Sequence, residues 1–270
     1  KQLAKVEAIM MALLVSLHAA AAGKIDRKAV VERNNPHVTA VDKLASLSVG
    51  NGGFAFTVDA TGLQSFPETY SPGVPLGTMS QWGWHWQKNP KQLREEESWK
   101  EYDFGRGHKE IYATQSSGDK RTQEAVDWYR VNPHRLHLGT IGLALGTDPK
   151  AVSSINQTLD MWSGEIKSSF SYKGKQYDVA TVCDPYRDMV ATRVKSDGKI
   201  AIDLRYPYPT VGHCDDACDW TKDKLHSTTI EKQQAGYALI KRVVDESIYY
   251  VTLHWQGSAK LKKNGRNRLQ

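Results

Sequence analysis

Residues 158–195 read TLDMWSGEIKSSFSYKGKQYDVATVCDPYRDMVATRVK. Thr158–Trp162, Ile166–Tyr172, Gln176–Val182 and Met189–Lys195 alternate apolar and polar residues, the period that sends successive side chains to opposite faces of a strand. Ser163-Gly164, Lys173-Gly174 and Asp197-Gly198 supply the glycine that tight reversals need. The stretch therefore predicts an antiparallel meander, continued by Ile200–Tyr206. Upstream, Leu44–Val49 and Phe54–Asp59 flank Gly50-Asn51-Gly52-Gly53, a strong hairpin signal. Downstream, Ile230–Lys232, Tyr237–Val244 and Ser247–Trp255 extend the pattern, with a turn at Asp245-Glu246. Only 91–101 has the spacing of a short helix, and no repeat of fixed period is present. The expected fold class is all-β, a large antiparallel β-sandwich occupying 23–259.

The chain has 270 residues, of which 40% are apolar, enough for a folded core, and three cysteines, too few for a disulfide scaffold. Its net charge of +6 comes from the ends. Residues 1–22 and the basic tail 260–270 hold seven of the 36 basic residues and one of the 30 acidic ones, so the part between them is electrically balanced. A balanced body lacks the basic face that phosphate backbones require, so no nucleic-acid partner is expected. Residues 1–22 (KQLAKVEAIMMALLVSLHAAAA) combine Lys1 and Lys5, an apolar stretch from Ala8 to Leu17 and alanines 19–22. This is the pattern of a signal peptide, too short for a membrane span, and it predicts a periplasmic or secreted protein.

Two irregular stretches interrupt the strands. Residues 64–90 carry Pro67, Pro72, Pro75 and Pro90 with several glycines, and read as a long ordered loop. Within it, Trp82, Trp84 and Trp86 stand at i, i+2 and i+4, one face if the segment is extended, with His85 pointing the other way. Flat indoles stack on the C–H faces of sugar rings, which makes Trp82, Trp84 and His85 candidate carbohydrate contacts at a surface. The competing reading is a stripe packed into the sandwich core. A second cluster, Asp103-Phe104-Gly105-Arg106-Gly107-His108, offers Asp103, Arg106 and His108 to a polyhydroxylated ligand, or simply pins a turn. The third, His213-Cys214-Asp215-Asp216-Ala217-Cys218, makes Asp215 and Asp216 candidate ligand contacts. Its mixture of hard oxygens and soft thiols, without zinc or calcium spacing, gives no metal expectation, and no cofactor motif is present.

Five blocks carry a resemblance: VVERNNPHVTAVDKLASLSVGNGGFAFTVDATGLQSFPETY, GVPLGTMSQWGWHW, EYDFGRGHKE, VNPHRLHLG and YPYPTVGHCDDACDW. Over roughly residues 29–257 the chain resembles the N-terminal β-sandwich portion of bacterial, Bacteroidetes-type six-hairpin glycosidase-like proteins, near glycoside hydrolase families 65 and 95. The resemblance implies a galactose-mutarotase-like super-sandwich lending loop residues to a sugar site. It also implies that catalysis, typically inverting and carboxylate-driven, belongs to a C-terminal (α/α)6 barrel, with 260–270 as the linker toward it. No catalytic residue is therefore assigned here. The expected partner is an oligo- or polysaccharide; the alternative is a stand-alone carbohydrate-binding or structural module without catalysis.

Overall fold

The computed structural model describes residues 25–209 and 217–270. The signal-peptide expectation for 1–22, and the candidates Asp215 and Asp216 with their neighbours His213 and Cys214, lie outside the described residues. In chain order the elements are α1 (Arg27–Glu32), β1 (His37–Val38), β2 (Leu47–Gly50), β3 (Phe54–Val58), α2 (Pro67–Tyr70), β4 (Thr78–Ser80), β5 (Trp84–His85), β6 (Trp99–Asp103), β7 (Lys109–Ala113) and α3 (Lys120–Val131). They continue with β8 (His134–Arg135), β9 (Thr140–Leu143), β10 (Val152–Asp160), β11 (Glu165–Tyr172), β12 (Lys175–Cys183), β13 (Val190–Ser196), β14 (Ile202–Arg205), β15 (His226–Gln234), β16 (Tyr237–Val244), β17 (Ser247–His254) and β18 (Arg268–Leu269). Strands make up 41% and helices 13% of the structure, an all-β protein of sandwich type.

The meander forms a five-stranded antiparallel sheet, β1-β10-β11-β12-β13, turned at Ser163-Gly164 and Lys173-Gly174, whereas the β12–β13 reversal, 184–189, carries no glycine and Asp197-Gly198 falls after β13. One face of it packs on the three-stranded sheet β2-β3-β4, whose first two strands are joined by the Gly50–Gly53 turn. Alternation fills the space between: Phe54, Phe56 and Val58 from β3 meet Ile166, Phe170, Tyr177 and Val179 from β11 and β12. Phe170 and Tyr177, cross-strand partners, stack with planes 3° apart.

Between the two sheets the chain turns a corner organised by Asp59. Its buried carboxylate accepts from Thr61 N (2.8 Å), Thr61 Oγ1 (2.5 Å), Ser65 N (2.7 Å) and Phe66 N (2.9 Å). Burial nevertheless raises its pKa to about 6, these hydrogen bonds opposing the rise. The corner is tight enough that a Cβ on Gly142 of β9 would stand 2.3 Å from the Gln64 carbonyl oxygen.

Three expectations are corrected. Ile200–Tyr206 leaves the meander: β14 pairs with β9 and β18 in a separate sheet. The tail 260–270 is not a free linker, because β18 closes that sheet with Leu269 fully buried. A 12-residue helix, α3, fills 120–131, where none was expected, while 91–101 contains only a short 3-10 turn at Glu95–Ser98 before β6 begins.

The sheet β15-β16-β17 brings Arg242 into the interior with no exposed surface. Among the described residues no carboxylate holds it. Its guanidinium donates to Ser227 O (2.7 Å), Thr228 Oγ1 (2.5 Å), Asn267 Oδ1 (3.0 Å) and His226 Nδ1 (2.7 Å), and lies over the Tyr206 ring at 4.6 Å. His226 must therefore be neutral at Nδ1. Burial, then the charge of Arg242, lowers its pKa to about 4.

Candidate ligand-binding edge at Trp82–Trp86

After β4 the chain reverses through a turn closed by Gly83 N donating to Ser80 O (3.0 Å), and Trp84 N reaches back to Trp82 O (3.0 Å). The segment is therefore not extended at Trp82. Strand alternation applies from Trp84 onward, where β5 pairs with β8 through Trp84↔Arg135 and His85↔His134. Trp84 and Trp86 point outward and His85 inward, while Trp82 is set by the turn. All three indoles are about half exposed, at 52%, 45% and 51% in chain order, so they do not form a core stripe.

Each is fixed from the protein side. Trp82 Nε1 donates to Asp188 Oδ2 (2.6 Å), which also accepts from Ser80 Oγ (2.5 Å), and its ring lies 6.3 Å from that of Tyr249. Arg135 places its guanidinium 4.0 Å from the Trp84 ring centre and donates to Gln81 O (3.1 Å). Trp86 leans on Trp128 of α3, ring centres 5.6 Å apart.

His85 is not at the surface; it is wholly buried beneath the indoles. Its Nε2 is 2.9 Å from Asp245 Oδ2 and its Nδ1 is 3.0 Å from His134 Nε2. His134 Nδ1 is 3.0 Å from the Val131 carbonyl, and Tyr208 donates to the same Asp245 oxygen at 2.7 Å. Burial pulls His85 below the ordinary imidazole range, the Asp245 carboxylate opposing it. His134 is lowered by burial and then by its neighbour His85. Tyr208 is raised by burial and by Asp245.

Asp103, Arg106 and His108 lie together at the exposed tip of the β6–β7 ribbon. Asp103 Oδ1 accepts from Gly105 N (2.7 Å), the turn-pinning role, and His108 faces Glu110 at 3.2 Å. Among the described residues no hydrogen bond or ring contact joins this tip to the indole edge. Sequence reasoning reads His134 and Arg135 most simply as part of a strand and gives no site role to Asp188, Tyr208 or Asp245. The pairs lie up to 160 positions apart, and nothing local marks them.

Elsewhere, a cleft of about 210 Å³ is walled by Tyr206, Trp220, Asp223, His226 and Asn267 among others. Among the described residues no group of three or more His, Cys, Asp or Glu side chains is placed to hold a metal ion. Among them, too, no helix is long and apolar enough to cross a membrane. No family model matches the chain, and no curated protein matches it.

Proposed function

We propose that the Trp82–Trp86 edge is a carbohydrate-contacting surface, and that the chain is the β-sandwich portion of an exported glycoside hydrolase acting on oligo- or polysaccharide. The observation that carries the first half is the set of three half-exposed indoles, each anchored by a different group. Exposed aromatics scattered singly, such as Trp162 and Tyr186, are ordinary, whereas three within five residues, rimmed by polar groups, are the pattern of an interaction site. Anchored rings lose little freedom on binding, and a neutral sugar offers aromatic stacking and directed hydrogen bonds rather than charge. The hydrolase context rests on the resemblance of the blocks around this edge to six-hairpin glycosidase-like proteins. A stand-alone carbohydrate-binding module would use the same edge.

The test is a glycan microarray probed with the full chain, its Trp84→Ala and Trp86→Ala variants alongside. The expected result is binding by the parent chain, lost in the variants at unchanged melting temperature. No glycan bound by the parent chain, or variants that unfold while their folded fraction still binds, would sink the reading.

A further inference from the structure

The hydrogen atoms around His85 do not add up if both histidines are neutral. Val131 O is a carbonyl, so His134 must present Nδ1–H to it. Asp245 Oδ2 is an acceptor already receiving the Tyr208 hydroxyl, so His85 must present Nε2–H to it. Between the rings, His85 Nδ1 and His134 Nε2 stand 3.0 Å apart, a distance that requires one hydrogen between them. That makes three ring hydrogens. Two neutral imidazoles carry two.

We propose that His85 and His134 share a single buried positive charge, balanced by Asp245, and that this charge is a positioning device for the Trp84–Arg135 pair above it. Without the third proton, the mostly buried Asp245 carboxylate has no counter-charge within the network, and one of the three contacts has no hydrogen. With it, the group is neutral overall and every contact is made. The other end of the relay favours the same state. Val131 is the last residue of the 12-residue helix α3, whose C-terminal carbonyls carry partial negative charge. The groups facing the two rings are Asp245 from the β16–β17 turn, Tyr208 from the segment after β14 and the Val131 carbonyl. Two further cations stand by the network: Arg135, the neighbour of His134 in β8, and Lys222, whose ammonium lies 5.6 Å from the Tyr208 ring centre. Burial of the two rings opposes this charge; the Asp245 carboxylate and the count of hydrogens favour it. The two rings form one rung of the β5–β8 pairing and the Trp84–Arg135 pair forms the next, His85 beside Trp84 and His134 beside Arg135, so a lost contact in the relay acts on the stacked pair directly. The proposal goes beyond carbohydrate contact and is tested without sugar.

The experiment is NMR of the full chain with ¹⁵N-labelled histidine and tryptophan, titrated with pH, in parallel with Asp245→Asn. Both contacts go to one Asp245 oxygen, so an asparagine with its Nδ2 there donates one hydrogen to a neutral His85 Nε2 and the other to the Tyr208 hydroxyl oxygen, which removes the need for the third proton while keeping the shape. In the parent chain the two rings should carry three protons at pH 7, where a free histidine, with a pKa of about 6.5, is mostly neutral. On loss of that proton at higher pH, the Trp84 indole resonance should shift with the same midpoint. Both titration steps should vanish in Asp245→Asn. Two ring protons in the parent chain at pH 7 would overturn the proposal. A Trp84 resonance that stays flat while the pair titrates would overturn the positioning half of it. Three ring protons together with an empty glycan array would leave the shared charge standing and remove only the carbohydrate reading.

Discussion

Arg135 sits over the Trp84 ring while holding the Gln81 carbonyl, so one guanidinium ties the outward indole to the turn that carries Trp82. The indoles at the two ends of that tie are thereby held in one frame. Replacing Arg135 by Gln should cost about 0.5–1 kcal/mol of stability, the worth of an exposed cation–π contact. It should also shift tryptophan fluorescence to the red as Trp84 gains water. An unchanged emission maximum would count against the coupling.

Asp59→Asn replaces an oxygen that accepts two hydrogen bonds with an amide NH₂ facing two donors at the sheet-to-sheet corner. Leaving those buried donors unpaired should cost about 2–4 kcal/mol. Urea unfolding of the two proteins reads this directly. A difference within about 0.5 kcal/mol, the size of an ordinary surface change, would mean the corner is not built on the carboxylate.

Asp59 and His226 should drive stability in opposite directions over the same pH window. The folded pKa of Asp59, about 6, lies above its ordinary value of 3.8, so its contribution is present in acid and is lost as pH rises through about 6. The folded pKa of His226, about 4, lies below its ordinary 6.5, so its contribution is present above 6.5 and is lost as pH falls toward 4. In Asp59→Asn the remaining slope should make stability climb with pH between 4 and 6.5; in His226→Gln it should fall. Chemical denaturation at four pH values distinguishes these slopes. Parallel profiles for the two variants would contradict the assignment.

Gly142→Ala should be among the most damaging single-methyl additions in the molecule. The new carbon would meet backbone atoms of Gln64 and Ser65 at 2.3–2.8 Å, and backbone cannot swing aside as a side chain can. Overpacking of this kind costs about 1–3 kcal/mol. Gly118→Ala, where nothing stands within 4 Å, is the matched control and should leave the melting temperature within a degree or two. Similar melting temperatures for both variants would show that the corner yields.

The contrast between legible and illegible parts of the chain follows from where each signal is stored. The β2–β3 hairpin and the meander from β10 to β12 are local objects: alternation fixes the faces, and glycine-bearing turns fix the reversals. Helix α3 escaped notice because its sequence KRTQEAVDWYRV buries only Ala125 and Val126, too narrow a stripe to register as periodic. A local mark was there all the same, in Asp119, whose side chain caps Thr122 N. Strand β14 looks like one more turn of the meander, and only its distant partners β9 and β18 reveal the change of sheet. The half-exposed indoles were legible as a candidate site. The burial of His85 was not, because Asp245, Tyr208 and His134 come from three remote segments.

The tip of a two-residue hairpin is ordinarily the most forgiving place in a chain for lengthening, nicking or re-joining. The β16–β17 tip is an exception. Asp245 adopts a left-handed φ of 50° there and spends its carboxylate inward on His85 and Tyr208. An extra residue at this bend would withdraw that carboxylate from a ring 160 positions earlier in the chain. Anyone seeking a site for circular permutation or for a grafted loop should pass over this bend, despite its short length and peripheral place, in favour of the Ser163-Gly164 or Lys173-Gly174 bends. At Gly164 and Gly174 an added Cβ would meet nothing within 4 Å, so those bends have space for inserted chain, provided the two glycines, at φ of 72° and 74°, are themselves kept.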